Sequence, residues 1–311
     1  MKLGYALITE EHAPKDLIAN AQLAEEVGFD YLSISDHFHP WLATQGHSPF
    51  AWTVLGAILH STSLPVITQV TCPIKRYHPA IVAQAAATAA AMSSNRFVLG
   101  LGTGEALNEN VVGGAWPAPS VRLDMLEEAI EIITALWEGE AVTRYGRFFT
   151  VDRATLYTLP DELPHIAVAV SGGRSIELAA AHGHAVSTSP AREPIEAYRQ
   201  AGGRGDVYGQ ATVCFAADRD TAQTTMLERW RHSPFGWDVN AELATPGAFA
   251  DATDPLPPSS ILGSEPLGSD EGEYQASIET YREAGFDAIS LHNVGREQTD
   301  FLKTAGRWFF S

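Results

Sequence analysis

A (β/α)8 barrel, an α/β fold, is predicted by three observations on this sequence. Eight apolar segments rich in β-branched residues alternate with eight segments of helical periodicity. The strand-like segments are apolar on both faces, as strands of a parallel sheet covered on both sides must be. The stretch after the first strand, ITEEHAP (8–14), lacks the G-x-G-x-x-G turn that a doubly wound nucleotide fold would place there. The 311-residue length fits one domain over 1–311, with an irregular insertion at about 232–272 before the last βα unit.

Taken in order, KLGYALI (2–8) is the first strand. Residues 15–27 carry Leu17, Ala21, Leu23 and Ala24 at helical spacing, and Gly28 closes that helix. YLSIS (31–35) is the second strand, 50–60 its helix, and PVITQV (65–70) the third strand. Pro79 opens an alanine-rich helix to Met92, at a position where the missing N–H has no helical partner to lose. FVLGLGT (97–103) is the fourth strand, followed by a long helix over 121–137 and a hairpin-like stretch, 141–151. HIAVAVS (165–171) leads into the helix GGRSIELAAAHG. AVSTS (185–189), a helix over 194–201, TVCFA (212–216) and a helix over 221–231 supply units six and seven. Residues 235–271 are rich in Pro, Gly, Ser and Asp and read as the insertion, with a short helix near 246–250. A helix over 274–285, the strand AISLHNV (288–294) and a terminal helix over 296–308 close the barrel.

Composition narrows the function classes. With 20 basic and 38 acidic residues the formal charge is −18, which argues against nucleic acid or an anionic membrane as partner. No segment approaches the roughly 20 continuous apolar residues of a membrane span, and the N-terminus has no apolar core of signal-peptide length. Cys72 and Cys214 lie far apart in apolar segments, as buried reduced thiols do. A cytoplasmic protein acting on a small molecule is expected.

Function in such a barrel belongs at the C-terminal ends of the strands. That rim carries Thr9, Glu10, Glu11 and His12 after strand one, then Asp36, His37, Phe38, His39 and Trp41 after strand two. It continues with Gln69, Val70 and Thr71, then Gly102, Thr103, Gly104, Glu105 and Asn108. Ser171, Gly172 and Gly173 follow strand five, Ser187, Thr188 and Ser189 strand six, and His292 and Asn293 end the last strand.

Three stretches of the rim carry chemistry. In SGGRS (171–175) a strand, two glycines and a helix start make a nest of N–H groups at a positive dipole end, a phosphate site to which Arg174 adds charge; the plain alternative is an ordinary glycine-rich turn. In GLGTGEALNE (100–109) the alternate glycines are expected to let a flat ligand approach the backbone. Glu105 at its mouth is then either a proton donor or a solvated loop carboxylate. In SDHFHPW (35–41) Asp36 is a candidate ligand contact, His37 the natural acid or base near neutral pH, and Trp41 either a catalytic neighbour or loop packing. His37, His39 and His47 also admit a metal site, although H-x-H on strand two departs from the usual metallohydrolase arrangement.

SDHFHPW, GHSPFAW, RYHPAIVAQAAAT, NRFVLGLGTGEALNE, GAWP and the long R-L-x-M-L-E-E-A-I-E-I-I-T-A-L-W helix together resemble the bacterial luciferase-like superfamily. Within it they look most like the coenzyme F420-dependent glucose-6-phosphate dehydrogenase group, over residues 1 to about 190 and more loosely at the final strand and helix. The resemblance implies a TIM barrel holding a deazaflavin or flavin at its C-terminal face. It implies His37 as the base that takes the substrate hydroxyl proton, Trp41 as its support, Glu105 as proton donor to the cofactor ring, and Glu10 (or Glu11) as the acidic residue after strand one. Asp36, Gly104, Asn108 and Ser187 would line the cofactor, with a non-proline cis peptide at Gln69–Val70 behind its ring. Val170, Ser171, Gly172 and Gly173 would hold its phosphate. His39 becomes a pocket-wall residue, and a homodimer and a partner flavin or F420 reductase are expected.

The departures bear on substrate. The family's sugar-phosphate enzymes hold the phosphate with a lysine after strand six, a lysine in the insertion and an arginine in the last loop. Here Arg192 is the nearest cation in STSPAREP, residues 235–271 contain no Lys or Arg, and Thr299 stands where the arginine would fall. A neutral alcohol, sugar or carbonyl compound is therefore expected rather than glucose 6-phosphate. Lys75, Arg76 and Arg174 are the candidates for an anionic cofactor tail. The alternatives are an FMN-dependent oxidoreductase or monooxygenase of the same fold, a metallohydrolase using His37 and His39, and a non-catalytic flavin-binding barrel.

Overall fold

The computed structural model describes residues 1–187 and 189–310. Its strands are β1 (Lys2–Leu7), β2 (Tyr31–Ile34), β3 (Val66–Thr68), β4 (Phe97–Leu101), β5 (Val142–Tyr145), β6 (Thr150–Ala154), β7 (His165–Ala169), β8 (Gly183–Val186), β9 (Val207–Val213) and β10 (Ala288–Asn293). Eight of them close a parallel barrel in the order β1-β10-β9-β8-β7-β4-β3-β2, and β5 and β6 pair antiparallel beside it, as the hairpin-like stretch predicted. A helix follows each barrel strand, which is the expected (β/α)8 architecture.

Alternation along the strands divides the core in two. Leu32 and Ile34 of β2 face the helix layer in the large core cluster. Tyr31, Ile67, Ala167, Val186, Tyr208 and Ala288 form a second cluster inside the barrel, where the Tyr31 and Tyr208 rings meet edge to face at 5.8 Å. Tyr31, Tyr208 and Ala288 lie near the N-terminal ends of their strands, so this apolar plug closes the end away from the polar rim.

Two strands begin earlier than the sequence suggested. The seventh barrel strand is Val207–Val213, not 212–216, because its Gly209, Gln210 and Thr212 dilute the apolar signal that Val213, Cys214 and Phe215 concentrate. Cys214 already lies beyond it, bridged to Leu267 of the insertion. The sixth is Gly183–Val186 rather than 185–189, and Thr188 lies outside the described residues. The insertion is more ordered than expected. It contains short helices at Trp237–Asn240, Pro246–Thr253 and Pro258–Ile261. Its Phe249 is fully buried and forms a small core with Leu42 and Leu107, against which Trp41, Phe235 and Leu243 pack. Among the described residues no helix is long and apolar enough to cross a membrane.

Candidate active site

β1 and β2 pair with Leu7 opposite Ile34, so the residues just beyond them emerge side by side. One oxygen of Glu10 receives the Thr9 hydroxyl at 3.0 Å and the Ser35 hydroxyl; the other lies 3.4 Å from Nε2 of His37. On its far side the His37 Nδ1 is 3.2 Å from the His39 carbonyl. A carbonyl only accepts, so Nδ1 carries the hydrogen, which leaves Nε2 as the nitrogen that can gain or give up a proton. A proton gained there is held beside a buried carboxylate. His39 is anchored the same way, its Nδ1 donating to the Leu107 carbonyl at 2.9 Å.

Trp41 leans on the His37 ring with centroids 5.0 Å apart, and its other ring contacts come from the insertion. His232 stacks on it at 5.0 Å and 13°, and Phe249 meets it edge-on at 5.2 Å. The insertion thus braces the His37 loop from outside the barrel.

Asn108 joins that loop to Glu105. Its Oδ1 accepts the N–H groups of Phe38 at 2.8 Å and His39 at 3.2 Å, and its Nδ2 donates to the Glu105 carboxylate at 3.2 Å. Glu105 caps the short helix Ala106–Glu109 and is half-buried. His37, Glu10, Trp41, Glu105 and Asn108 therefore form one connected group.

Asp36 departs from the ligand-contact expectation. Its side chain has no exposed surface and its oxygens accept from Thr71 at 2.8 Å, Arg76 at 3.0 Å and Tyr77 at 3.0 Å. It fixes the start of the His37 loop instead of facing the mouth. The glycines of strand four also differ in their reason. A Cβ at Gly100 would stand 1.8 Å from the Thr68 carbonyl oxygen, and one at Gly102 2.7 Å from the Val70 side chain. They make room for the irregular end of β3, whose Gln69–Val70 peptide is cis, and not directly for a ligand. Gln69 leaves its buried side-chain nitrogen without a partner there.

The SGGRS turn keeps part of its expected capacity. The N–H groups of Ser171 and Gly172 both donate to the Ser175 hydroxyl, at 2.9 and 3.1 Å, so these two are not free for a phosphate. Gly173, Arg174 and Ser175 begin the helix Gly173–His182, so their N–H groups have no partner inside it. No atom stands within 4 Å of a Cβ built at Gly172 or Gly173. Open space in front of unpaired helix-start donors fits a phosphate oxyanion. Val170 is buried beneath, hydrogen-bonded through its N–H to Val186. Ser187 is buried too, its hydroxyl 3.4 Å from the Ser189 carbonyl.

Comparison with known proteins fits this geometry. The family model for luciferase-like monooxygenases matches residues 1–288. The chain belongs to the luciferase-like monooxygenase family. It is 33% identical to an F420-dependent glucose-6-phosphate dehydrogenase of Microbacterium testaceum (strain StLB037), over 98% of this chain and 95% of that one. It is 35% identical to an F420-dependent hydroxymycolic acid dehydrogenase of Mycobacterium tuberculosis (strain ATCC 25618 / H37Rv), over 91% and 80%. A solved F420-dependent secondary alcohol dehydrogenase, in complex with an F420-acetone adduct, superposes with a TM-score of 0.90 at 30% identity, covering 99% of this chain and 98% of that one.

In this luciferase-like barrel the cations proposed for a cofactor tail are largely engaged. Arg174 pairs with Asp124 at 2.8 Å and Glu127 at 3.3 Å, and Arg76 is buried between Asp36 and Glu109. Lys75 holds Asn110 at 2.8 Å and the Gly114 carbonyl at 3.2 Å. Arg192 is drawn to the Glu283 carbonyl at 2.6 Å, and Arg296 pairs with Glu228 at 2.8 Å. The backbone N–H of His47 donates to the Glu10 carbonyl at 3.1 Å. Among the described residues no group of three His, Cys, Asp or Glu side chains is placed to hold a metal ion.

Two residues of the mouth, His232 and Glu109, were not singled out by sequence reasoning, and the rim residue Glu11 stood only as an alternative. Glu11, the register alternative to Glu10, pairs instead with His292 at 3.2 Å. Burial acts to push its carboxyl up, but His292, Arg229 and His12 outweigh it and hold it below the usual carboxylate range. His232 is buried among Trp41, Trp230 and Phe249, and burial pushes its imidazole down to about 3. Glu109 is buried one turn after Glu105, and burial pushes its carboxyl up to about 7. The signal for Glu109 was its i+4 spacing from Glu105 on a helix too short to span both solvent and core; His232 gave none, standing alone in a polar stretch.

Proposed function

We propose that this protein is an F420-dependent oxidoreductase that moves a hydride between the deazaflavin and a small uncharged alcohol or carbonyl compound. The observation that carries the reading is His37, with Nδ1 fixed on a backbone carbonyl and Nε2 beside the Glu10 carboxylate at the mouth of the barrel. When bound, the deazaflavin supplies the hydride acceptor or donor. His37 takes the substrate hydroxyl proton at Nε2, and Glu10 stabilises the imidazolium that results. Trp41 holds the imidazole plane and walls the substrate side. Glu105, oriented by the Asn108 amide, exchanges a proton with the cofactor ring. The N–H groups of Gly173, Arg174 and Ser175 receive the cofactor phosphate, while Gln69, Val70, Gly104 and Ser187 line its path.

A sugar phosphate is disfavoured as substrate. Arg192 and Arg296 are committed to Glu283 and Glu228, and no cation stands in the insertion segment 235–271. The buried cation Arg229 is drawn to Glu11, and His232 is a neutral ring, so neither offers a substrate anion an uncompensated positive charge. F420 is preferred to FMN because the relatives above 30% identity are named for F420. The reading carries with it a cytoplasmic homodimer that draws on a separate reductase for cofactor turnover.

The experiment is turnover of F420 with a panel of small alcohols by the wild-type protein and by His37→Ala. The variant is expected to lose activity on the order of 10²- to 10⁴-fold while binding F420 nearly as well. Unchanged turnover would remove His37 from the role of base.

A further inference from the structure

Arg76 stands between two buried carboxylates on either side of the site. Its Nη2 donates to the carbonyl of Asp36 at 2.8 Å and to Oδ1 of Asp36 at 3.0 Å, one residue before His37. Its backbone N–H donates to Oε2 of Glu109 at 2.7 Å. Its Nε lies 3.5 Å from Oε1 of Glu109, and neither of those two buried atoms has a hydrogen-bond partner. Glu109 is joined in turn to Glu105, donating its N–H to the Glu105 carbonyl at 3.0 Å. Gly104, at φ +72°, would place a Cβ 2.8 Å from Cγ of Glu109, so only glycine before Glu105 leaves the Glu109 stem its space.

We propose that Glu109 is a positioning residue for proton transfer at Glu105: it is a buried carboxyl one turn away that shares the Arg76 guanidinium with Asp36, and its charge acts on the Glu105 carboxyl. This rests on the reading of Glu105 as the group that exchanges a proton with the cofactor ring. The reason is the division of one cation between too many anions. Asp36 already takes the Arg76 guanidinium, with Thr71 and Tyr77 completing its oxygens, so Glu109 receives mainly a backbone N–H.

The groups facing Glu109 are Glu105 on its own helix, Asp36 from the end of β2, and Arg76 with Cys72 from the loop after β3. Lys75 is turned away onto Asn110 and Gly114. Burial raises the Glu109 carboxyl most, Arg76 opposes through its N–H and its charge, and Glu105 and Asp36 add to the rise, for a result of about 7. Burial likewise pushes the Cys72 thiol up, which keeps it neutral and out of the exchange. Glu109 therefore changes charge within the range where a dehydrogenase works, next to the group that must give up or regain a proton.

The test is the pH dependence of kcat/KM with F420 and 2-propanol for the wild type, Glu109→Gln and Glu109→Asp. An anionic Glu109 repels negative charge on Glu105 and so is expected to carry the basic limb to higher pH. Glu109→Gln removes that repulsion and is expected to move the basic limb down by about one pH unit, and Glu109→Asp to restore most of it. In cofactor-free protein, infrared difference spectra between pH 5 and 9 should show a carboxylic acid band that disappears through neutrality, is absent in Glu109→Gln and shifts in Glu109→Asp. A uniform loss of rate with an unmoved limb, or no carboxyl titrating in that range, overturns the proposal. If no alcohol is turned over with F420, the functional reading fails on its own, and the infrared titration still decides whether Glu109 carries the proton. Where Glu109→Gln does not fold, the Glu109→Asp spectrum and limb decide it.

Discussion

Nε2 of His37 lies 3.4 Å from Oε1 of Glu10, across the seam between the first two barrel strands. The opposite nitrogen is tied to the His39 carbonyl, so the ring has one orientation and exchanges a proton only at Nε2. Glu10 is itself fixed by Thr9 and Ser35 and does not need to move to meet a proton arriving on His37.

Glu10→Gln keeps the shape of that contact and deletes its charge. A hydrogen bond to a charged group is worth about 1.5–3 kcal/mol, so kcat is expected to fall roughly 10- to 100-fold. F420 affinity should stay within about twofold, because Glu10 has no part in the phosphate cradle. Steady-state kinetics beside a binding titration separates the two effects, and an equal loss in both would place Glu10 at the cofactor instead.

Asn108→Ala strands the N–H groups of Phe38 and His39 and releases the Glu105 carboxylate in one step. Leaving such buried groups unpaired costs about 1–3 kcal/mol, to be read from denaturant unfolding. Because the His37 loop and Glu105, the two groups proposed to move protons, both lose their tether, kcat should fall by more than the stability change alone implies. Asn108→Asp, which keeps the acceptor oxygen, should recover the stability and little of the activity.

Two glycines, Gly100 in β4 and Gly172 at a helix start, should behave oppositely. Gly100→Ala drives a Cβ to within 1.8 Å of the Thr68 carbonyl oxygen, a backbone atom that cannot step aside, and soluble protein should fall sharply. Gly172→Ala meets nothing within 4 Å, and its φ of −174° is extended backbone that any residue adopts. Unfolding should be nearly unchanged there, while F420 affinity drops about tenfold as the methyl group narrows the approach to the helix start.

The barrel was legible because it rests on repeated, redundant patterns. KLGYAL, YLSI and FVLGL are apolar whichever way they face, and Pro79 and Gly28 mark helix ends on their own. VYGQATV reads as starting too late because its small and polar residues line a closed barrel interior, where burial no longer requires apolarity. At the site, His37, Trp41 and Glu105 could be found because they stand at strand ends. Arg76 looks in the sequence like a surface cation for a cofactor tail. Nothing in RYHP reveals that Asp36 and Glu109 converge on it from two other strands, since such pairings are set by the barrel's closure.

Acid stability should report two buried groups acting in opposite directions. His232 is held neutral down to about pH 3, so the unfolded chain binds its proton first; its stabilisation is present above pH 6.5 and is lost as pH falls toward 3. Glu109 titrates near 7 when folded against 4.5 for an ordinary glutamate, so its contribution is present below 4.5 and is lost as pH rises through 7. Between 4.5 and 6.5 the two offset. Glu109→Gln should therefore steepen the loss of stability on acidification across that window by up to about 1.4 kcal/mol per pH unit, and His232→Phe should flatten it. Urea unfolding at pH 5 and pH 6.5 measures both.

Equilibrium titration of the purified protein with F420 and, separately, with FMN, followed by ligand fluorescence, tests the central claim most directly. The account predicts saturable quenching of F420 and weak or no response to FMN, with F420 binding weakened in Gly172→Ala and retained in His37→Ala. Tight FMN binding without any response to F420 would contradict it.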